Sequence, residues 1–385
     1  MKLDVEIITR LDEVEAAAWN RLGEAGYPFI RHEFLQALEQ HHCLHEFGWQ
    51  PVYFLLRNQG ELVAACPCYI KSNAYGELVF DHNWAQAYDN SGQSYYPKLV
   101  CAIPYTPATG PRLLTAPDLD DSARHDLRAQ LVRVIQQFCQ QQGLSGWHIL
   151  FEREALLKAQ QTQGLMLRYD CQFHWQNHDY RDFDDFLSRL SSRKRKNIRR
   201  ERRSVEQEGL RIERKFGDEL SAAQWQKVHQ LYAGIFDRKY GTATLTQAFF
   251  QSVGQALKQQ VMVVMVSNDS GIIAASLFFV SNDTLYGRVW GCEEYYNHLH
   301  FECCYYQGID FCIEKGLQKF DPGAQGEHKI SRGFLPTRTC SAHWFVDQNF
   351  HAMIDNYLQH EERHIDEYCR ELSTRSPYKK TGEPT

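Results

Sequence analysis

Residues 183–212, FDDFLSRLSSRKRKNIRRERRSVEQEGLRI, separate two halves of the chain that predict the same order of elements, so this stretch decides the fold. The eleven positions from Arg193 to Arg203 hold eight Lys or Arg residues and one Glu, a local charge of +7 in a chain with net charge −6. An apolar stripe at helical spacing is formed by Leu187, Leu190, Ile198 and Val205. Although Lys194 and Glu201 interrupt this stripe, the pattern predicts an amphipathic helix over about 187–208.

The elements on either side of this helix follow one repeated order, β-α-α-β-β-β-α-β. The first half predicts strands at 5–9, 51–56, 62–70, 98–103 and 147–151 and helices at 14–22, 31–41 and 121–142. The second half predicts strands at 210–215, 261–267, 272–280, 284–290 and 319–321 and helices at 222–236, 246–258 and 301–315. We therefore expect an α+β (α/β) fold of two tandem lobes, 1–178 and 179–372, each a mixed, mostly antiparallel sheet flanked by helices, and a polar tail, 373–385.

Composition favours a cytoplasmic protein with two cores and no membrane span. Apolar residues make up 43% and aromatic residues 13% of the 385 positions. The N-terminal sequence carries acidic residues where a signal peptide requires an apolar segment, and the β-rich apolar run 261–266 is too short to cross a bilayer. The twelve cysteines form no C-x-x-C pair, and many lie in apolar runs as small buried hydrophobes do, so neither disulfides nor a metal site is expected.

The repeated order resembles the GNAT acyltransferase fold, and two such lobes joined by a charged helix resemble the Fem-type aminoacyl transferases, which extend peptidoglycan peptides from aminoacyl-tRNA. Residues 183–212 resemble the start of their second lobe. FDPGAQGEHKISRGFLP, 320–336, resembles a Fem-like bacterial family linked to peptidoglycan biosynthesis or recognition. With VCAIPYTPATGPRLL, 100–114, and GRVWGCEEYYNHLHFECCYYQGIDF, 287–311, the resemblance covers nearly the whole chain.

This resemblance implies an N-acyltransferase that moves an acyl or aminoacyl group onto an amine by direct attack. The implied donor is aminoacyl-tRNA or an acyl-CoA, with no permanently bound cofactor, and the implied acceptor is a small-molecule or peptide amine. Such a transfer needs a positioned donor, a base for the attacking amine and groups that stabilise the oxyanion, but no covalent intermediate.

The loop 321–336, which follows a predicted strand, is the first candidate site. Its glycines expose backbone N–H groups and its cations suit a phosphate or carboxylate; the predicted substrate-binding residues are Gly323, Gly326, Lys329 and Arg332. His328 is the predicted proton acceptor, and Glu327 could replace it if burial raises its pKa. The alternative is a polar loop whose charges pair with one another.

The loop PYTPATGPRLL, 104–114, is the second candidate, and its three prolines would stiffen a binding wall. Its predicted substrate-binding residues are Tyr105, Thr109, Gly110 and Arg112. In the GNAT fold, this connection carries the pyrophosphate of coenzyme A. The usual Arg/Gln-x-x-Gly-x-Gly/Ala turn is missing from this stretch, which disfavours acetyl-CoA, and a purely structural turn is the alternative.

The basic helix is the third candidate, as a surface for a polyanion. Its predicted outward cations are Arg193, Lys196, Arg199, Arg200 and Arg203. Because cations that neutralise phosphates release counterions, a tRNA or nucleotide-linked substrate is expected there rather than chromosomal DNA. A solvated helix face is the alternative.

Other constellations favour structural interpretations. His298, His300 and Glu302 lack metal-ligand spacing and are typical of a helix start, and Cys340 with His343 is no expected nucleophile pair. The aromatic segment 75–96 fits a pocket lid or the first core equally well. Two competing functions stay open: an acetyl-CoA-dependent N-acetyltransferase, and a non-catalytic module that recognises nucleic acid or cell-wall fragments.

Overall fold

The computed structural model describes residues 3–24, 26–238, 241–324 and 326–379. The strands in these ranges are β1 (Leu3–Ile8), β2 (Trp49–Asn58), β3 (Glu61–Lys71), β4 (Lys98–Cys101), β5 (Leu114–Thr115), β6 (Gly146–Glu152), β7 (Met166–Gln176), β8 (Arg211–Phe216), β9 (Val261–Asn268), β10 (Gly271–Val280), β11 (Thr284–Cys292), β12 (Lys319–Asp321) and β13 (Leu335–Phe345).

The α-helices in the same ranges are α1 (Ala16–Leu22), α2 (His32–Gln40), α3 (His82–Asn90), α4 (Asp121–Gln141), α5 (Glu154–Lys158), α6 (Phe183–Ser188), α7 (Ser192–Glu206), α8 (Ala222–Arg238), α9 (Gln247–Leu257), α10 (Leu299–Phe301), α11 (Gln307–Lys315) and α12 (Gln348–Ser373). A π-helical turn, Glu302–Tyr306, joins α10 to α11.

The first compact unit comprises Met1–Asp170 and Arg338–Asp366. Its strands follow the order β1-β2-β3-β4-β6-β13, and all neighbours are antiparallel except β4 and β6, which run parallel. The apolar face of α4 covers the sheet, so that Leu131 and Ile135 are completely buried with Phe54 and Trp147. The first core therefore lies between α4 and the central strands.

The second compact unit comprises Cys171–Thr337 and Glu367–Thr385. Its order, β8-β9-β10-β11-β12-β7, repeats that of the first unit, again with one parallel pair, β11 and β12. Met262, Val264 and Phe320 from the sheet are completely buried with Ile309 of α11. The same topology in both units confirms the predicted fold class, a mixed and mostly antiparallel sheet with flanking helices in each of two GNAT-type lobes.

Local sequence signals explain several element boundaries. The side chain of Asp120 accepts a hydrogen bond from the backbone N–H of Ala123 at 2.8 Å, and Thr246 caps α9 in the same way through Phe249 at 3.2 Å. In the β2–β3 hairpin, Gly60 takes a positive φ of 84°. Such caps and turns depend only on neighbouring residues, which is why the sequence predicts these ends well.

The basic helix differs from the prediction because it begins later. The expected helix over 187–208 is divided into α6 and α7, with a break at Arg189–Ser191. At this break the N–H of Ser191 donates to the carbonyl of Pro377 at 2.9 Å, and Leu190 forms a β-bridge with Tyr378. A contact with a segment far along the chain thus ends one helix and allows the next to start.

Three further features differ from the expected organisation. The aromatic segment 75–96, expected to be irregular, contains α3. The first compact unit includes Arg338–Asp366 from the second half of the chain, and the second unit begins at Cys171, whereas the expected lobes over 1–178 and 179–372 were continuous. Of the expected polar tail, 373–385, positions 380–385 lie outside the described residues, and Tyr378 is half-buried with its hydroxyl donating to the carbonyl of Gly333 at 2.9 Å.

Candidate functional site

In the second unit, the parallel pair β11 and β12 separates before β11 ends. β12 pairs with Thr284–Tyr286 and ends at Asp321, whereas β11 continues to Cys292. The loop after β12 therefore borders the last part of β11, and a Cβ at Gly287 would lie 3.4 Å from the Cα of Pro322. Because ligands of open sheets bind beyond the carboxyl ends of parallel strands, this edge is a candidate site.

A buried ion pair fixes the end of β12. Arg288 Nη2 donates to Asp321 Oδ2 at 3.0 Å, and only 7% and 4% of these side chains are exposed. Asp321 Oδ1 accepts the backbone N–H of Gly323 at 2.8 Å. Burial alone would raise the pKa of Asp321, but the charge of Arg288 and the hydrogen bonds from Arg288 and Gly323 outweigh it and lower that pKa. Asp321 therefore stays ionised and holds the first turn of the loop.

Lys329 closes the same loop from the other side. Its Nζ donates to the carbonyl of Gly323 at 2.7 Å and to that of Ala324 at 3.3 Å. Burial lowers the pKa of Lys329 to about 8, against the attraction of Asp321. The predicted substrate-binding cation is thus buried among backbone carbonyls, and its contacts assign it to positioning the loop.

His328 lies at the surface of the loop and contacts a buried tyrosine. Its Nε2 is 2.9 Å from the hydroxyl of Tyr305. Partial burial, followed by the positive charges of Arg332 and Lys329, lowers the pKa of His328. The imidazole is therefore neutral at neutral pH, as a proton acceptor must be. Gly326, with φ 106°, allows this placement, because a Cβ there would lie 2.6 Å from the imidazole.

Tyr305 belongs to the π-helical turn Glu302–Tyr306. Such turns are rare and occur frequently at functional sites, because the extra residue per turn redirects the side chains. Burial raises the pKa of Tyr305, so its hydroxyl stays protonated next to His328. The tyrosine can donate to Nε2 or accept from it, and only the second arrangement, with the imidazole proton on Nε2, leaves Nδ1 free to accept a proton.

Arg332 lies behind His328 and is held by the basic helix. Its Nη2 and Nε donate to the two oxygens of Glu201 at 2.9 and 3.2 Å, and its guanidinium lies 3.4 Å from the ring centroid of Phe301. The hydroxyl of Tyr306 also donates to Glu201. Because its Nη1 donates to the backbone carbonyl of His328 at 3.0 Å, Arg332 positions the backbone that carries the imidazole. Arg332 was predicted to bind substrate, but these contacts give it a structural role in the loop instead.

Glu327, the predicted second proton acceptor, lies in an ion-paired cluster. Arg375 Nη1 donates to its Oε2 at 2.7 Å, and the hydroxyl of Tyr368 donates to its Oε1 at 3.0 Å. Both carboxylate oxygens therefore have partners, and the geometry favours His328 over Glu327 as the base.

The corresponding loop of the first unit is filled by Arg112, which is completely buried. Its guanidinium donates to the carbonyls of Ala108 at 2.8 Å, Leu150 at 3.1 Å and Gly110 at 3.1 Å. Glu152, the last residue of β6, accepts the backbone N–H of Arg112 at 2.6 Å. The predicted substrate contact is thus replaced by a structural one, since every donor nitrogen of this guanidinium has a carbonyl partner.

The other predicted residues of that loop are also packed within the unit. The hydroxyl of Tyr105 donates to the carbonyl of Cys43 at 2.6 Å, Thr109 is half-buried, and a Cβ at Gly110 would lie 2.2 Å from the ring of Tyr27. The geometry therefore favours the turn interpretation for residues 104–114 and places the stronger candidate site in the second unit.

The basic helix exposes the cations that its sequence predicts. The exposed residues are Arg193, Lys196, Arg199, Arg200 and Arg203, whereas Ile198 and Val205 are buried. Arg199 donates to Asp184 at 2.7 Å. Arg202 faces inward, where its Nη2 donates to Glu302 at 3.1 Å and to Asp310 at 2.8 Å. The helix thus separates one row of anchoring charges from one row of exposed charges.

The remaining sequence candidates take structural roles. Glu302 accepts hydrogen bonds from Arg202 and Gln307, and the ring of His298 stacks on Phe301, so no metal cluster forms there within the described residues. His343 Nδ1 lies 2.8 Å from His148 Nδ1. The aromatic segment contributes Trp84, Tyr88 and Tyr95 to a buried cluster, which supports its core interpretation.

Five residues of this site are among those predicted from the sequence, and three others are not. Gly323, Gly326, His328, Lys329 and Arg332 do lie together at the end of β12. Arg288, Tyr305 and Glu201 were not selected, because each occurs inside a predicted strand or helix and finds its partner 23 to 131 residues away. One sequence signal could have identified Glu201, because a charged residue within an apolar stripe indicates a buried partner of opposite charge.

The family model of FemAB-like proteins, described as peptidoglycan biosynthesis and recognition, matches residues 10–380. The chain belongs to this FemAB-like family. Family membership confirms the predicted class, a Fem-like acyltransferase built on the GNAT fold. No sequence among the curated proteins matches this chain significantly.

Solved structures share the fold at low sequence identity. FemX is 10% identical with a TM-score of 0.54 over 92% of this chain and 100% of its own. The C-terminal domain of a putative lysylphosphatidylglycerol synthetase from Agrobacterium fabrum is 10% identical, with a TM-score of 0.52 over 89% and 95%. L-PGS from Bacillus licheniformis is 10% identical, with a TM-score of 0.51 over 88% and 98%. Among the helices of the described residues, none has the length and apolarity needed to span a bilayer.

Proposed function

We propose that the second unit transfers an acyl or aminoacyl group to an amine at the edge where β11 and β12 separate. The observation that carries this proposal is the His328–Tyr305 hydrogen bond at that edge, since it presents a neutral, oriented imidazole beside the open end of a parallel strand pair. Family membership supports the reaction class. The acceptor we propose is an amine of a peptidoglycan precursor, and the proposed location is the cytoplasm.

The reaction is a direct displacement. The amine nitrogen of the acceptor attacks the carbonyl carbon of the donor, and His328 receives the proton that this nitrogen loses as the C–N bond forms. The bond between the carbonyl carbon and the donor oxygen or sulfur then breaks, and the leaving group takes up a proton. Tyr305 keeps the imidazole oriented throughout, because its oxygen accepts the Nε2–H of the tautomer whose Nδ1 takes up the proton.

Three charged residues prepare the site without taking part in the displacement. Asp321 and Lys329 bind the backbone of the loop from opposite sides, at Gly323. The charge of Arg332 contributes to the lowered pKa of His328. A loop backbone held at Gly323 and a base that is neutral at physiological pH both lower the cost of reaching the transition state.

The proposed donor is aminoacyl-tRNA, and acyl-CoA is the alternative. The exposed cations of α7 support a polyanionic donor, because four of them, Arg193, Lys196, Arg200 and Arg203, take part in no ion pair within the described residues. The buried contacts of Arg112 leave no guanidinium free in the first unit's loop for a pyrophosphate. No permanently bound cofactor is part of this proposal.

The test is a transfer assay with two donor pools, charged tRNA and acyl-CoA, and a peptidoglycan-precursor peptide as acceptor, read as a mass increase of the peptide. We expect product from charged tRNA, a loss of at least 100-fold in His328→Gln and a smaller loss in Tyr305→Phe. His82→Gln, at an exposed histidine of the first unit, is the matched control. Full activity of His328→Gln would contradict the proposed base, and product from acyl-CoA alone would replace the proposed donor.

A further inference from the structure

Three cysteines of the first unit meet in its core. Cys66 and Cys68 are two apart on β3 and therefore point to the same face, and Cys101 ends the neighbouring β4. The antiparallel register pairs Tyr69 with Val100. Cys68, which precedes Tyr69, therefore lies opposite Cys101, which follows Val100. The sheet itself thus brings the three side chains together.

The three sulfur atoms form a compact triangle. Cys66 Sγ lies 3.6 Å from Cys68 Sγ and 3.4 Å from Cys101 Sγ, and all three atoms lie within 4.8 Å of one another. A metal in the plane of three sulfurs, with metal–sulfur bonds of about 2.3 Å, needs sulfur–sulfur separations of about 4.0 Å. The triangle therefore reaches metal-binding dimensions if its sulfurs move apart by a few tenths of an ångström.

The other buried cysteines of the chain differ from this triangle. The thiol of Cys139, completely buried in the same core, contacts the carbonyl of Gly146, and that of Cys312 contacts the carbonyl of Lys319. Within the described residues, the triangle is also the single group of three or more potential ligands whose donor atoms are this close. Packing of small apolar side chains alone requires no such meeting of sulfurs.

From this geometry we propose that Cys66, Cys68 and Cys101 form a binding site for a soft d10 metal ion, for which copper(I) is the best fit. Sulfur ligands select soft ions such as copper(I) and zinc over magnesium or calcium. Structural zinc sites use four ligands, whereas copper(I) accepts three sulfurs in a plane. Within the part of the chain that the structure describes, no fourth His, Cys, Asp or Glu side chain brings a ligand atom into this group, which leaves a tetrahedral zinc site incomplete.

The burial of the triangle determines how the metal would enter. All three cysteines are completely inaccessible to solvent, so no water reaches the position of a fourth ligand. Loading would accompany folding or an opening of residues 102–112, which begin directly after Cys101. A bound ion would then cross-link β3 and β4 and stabilise the folded first unit.

The site can be tested on the full-length chain, independently of its transfer activity. The protein is produced with supplemented copper, zinc or cadmium, desalted under reducing conditions and analysed for metal content, and X-ray absorption counts the sulfur ligands. We expect one copper per chain and a shell of three sulfurs. Cys66→Ala, Cys68→Ala and Cys101→Ala should each retain at least tenfold less copper, while Cys139→Ala should retain as much as the wild type.

Several outcomes would overturn the site. These are a wild-type chain that retains none of the three metals, copper retention unchanged in any of the three site variants, or a shell with fewer than three sulfurs. Zinc or cadmium bound with additional nitrogen or oxygen ligands would overturn the three-sulfur geometry. Circular dichroism shows whether each variant is folded, and the ligand count in the wild type decides the question where a variant is not.

Discussion

Glu201 and Arg332 form a two-point ion pair between the basic helix and the loop that carries His328. The distances are 2.9 Å for Nη2 to Oε1 and 3.2 Å for Nε to Oε2, and 8% of the arginine side chain and 11% of the glutamate side chain are exposed. Because both side chains are buried, water cannot solvate the remaining charge if one partner is removed. The pair therefore makes the position of the loop depend on the basic helix.

Replacing Glu201 by Gln should destabilise the chain strongly. The amide keeps the shape of the carboxylate but leaves the guanidinium of Arg332 buried without a counter-charge, which costs about 3 kcal/mol. Urea unfolding followed by far-ultraviolet circular dichroism measures this loss. Glu206→Gln, at an exposed residue of the same helix, should change the unfolding free energy by less than about 0.5 kcal/mol. Equal losses of unfolding free energy in the two variants would show that the Glu201–Arg332 pair does not stabilise the chain.

The fold could be predicted from the sequence where local signals decide it. The β2–β3 hairpin and the cap of α4 by Asp120 depend on residues close in the chain, and their positions agree with expectation. The break between α6 and α7 could not be predicted, because it depends on Ser191 meeting Pro377. The same limit explains why the sequence suggested one longer basic helix.

Replacing Arg112 by Lys should destabilise the first unit although the charge is kept. The planar guanidinium donates to the carbonyls of Ala108, Gly110 and Leu150, and a lysine ammonium cannot reach all three from one position. We expect a loss of about 2 to 4 kcal/mol in the free energy of unfolding, since buried carbonyls lose their donors. Arg133→Lys, on the exposed side of α4, serves as the control. An unchanged unfolding midpoint in Arg112→Lys would refute the structural role.

Lys329 should make stability depend on alkaline pH. Its pKa is about 8 in the folded chain and about 10.4 when unfolded, so between these values the unfolded chain binds the extra proton. Stability therefore rises with pH across this window, by about 3 kcal/mol for this group. The unfolding free energy of the wild type minus that of Lys329→Met should increase by this amount from about pH 7 to about pH 11. Lys319→Met, at an exposed lysine of β12, should give a flat difference.

The candidate site was only partly predictable, because its residues come from distant parts of the sequence. The glycines and cations of 321–336 indicated a loop at the end of a strand, and His328 was selected for its chemistry. Tyr305, which orients His328, lies in a π-helical turn that no local pattern announced. Lys329 binds backbone carbonyls and Arg332 binds Glu201, and neither contact can be seen from composition. The sequence therefore suggested two cations available to a substrate, whereas in the structure both hold the loop in position.

His328 should titrate below its ordinary pKa of about 6.5. Partial burial and the charges of Arg332 and Lys329 both disfavour the imidazolium. Transfer that uses this imidazole as base should rise with pH through the His328 pKa and level off above it, so activity is lost only in acid. The imidazole resonance that disappears in His328→Gln gives the pKa by NMR, and the activity profile should share its midpoint. An activity midpoint well above that NMR value would assign the base to another group.

Charge reversal on the exposed face of α7 should weaken RNA binding and spare the fold. Arg200 and Arg203 are exposed and form no ion pair within the described residues, so Arg200→Glu with Arg203→Glu reverses two of the proposed phosphate-binding charges without disturbing Ile198 or Val205. We expect a loss of at least tenfold in tRNA affinity. The slope of log affinity against log salt concentration should also become less negative by about 2. Filter binding across a salt series measures both quantities.

The matched control for this charge reversal is Arg133→Glu with Arg363→Glu, which changes the net charge equally at exposed arginines of the first unit. A similar loss in both double variants would reduce the effect to net charge. Unchanged binding in the α7 variant would make this row of cations a solvated helix face. A selective loss with an unchanged unfolding midpoint would identify α7 as the surface that receives the polyanionic donor, beside the loop that Glu201 and Arg332 hold in place.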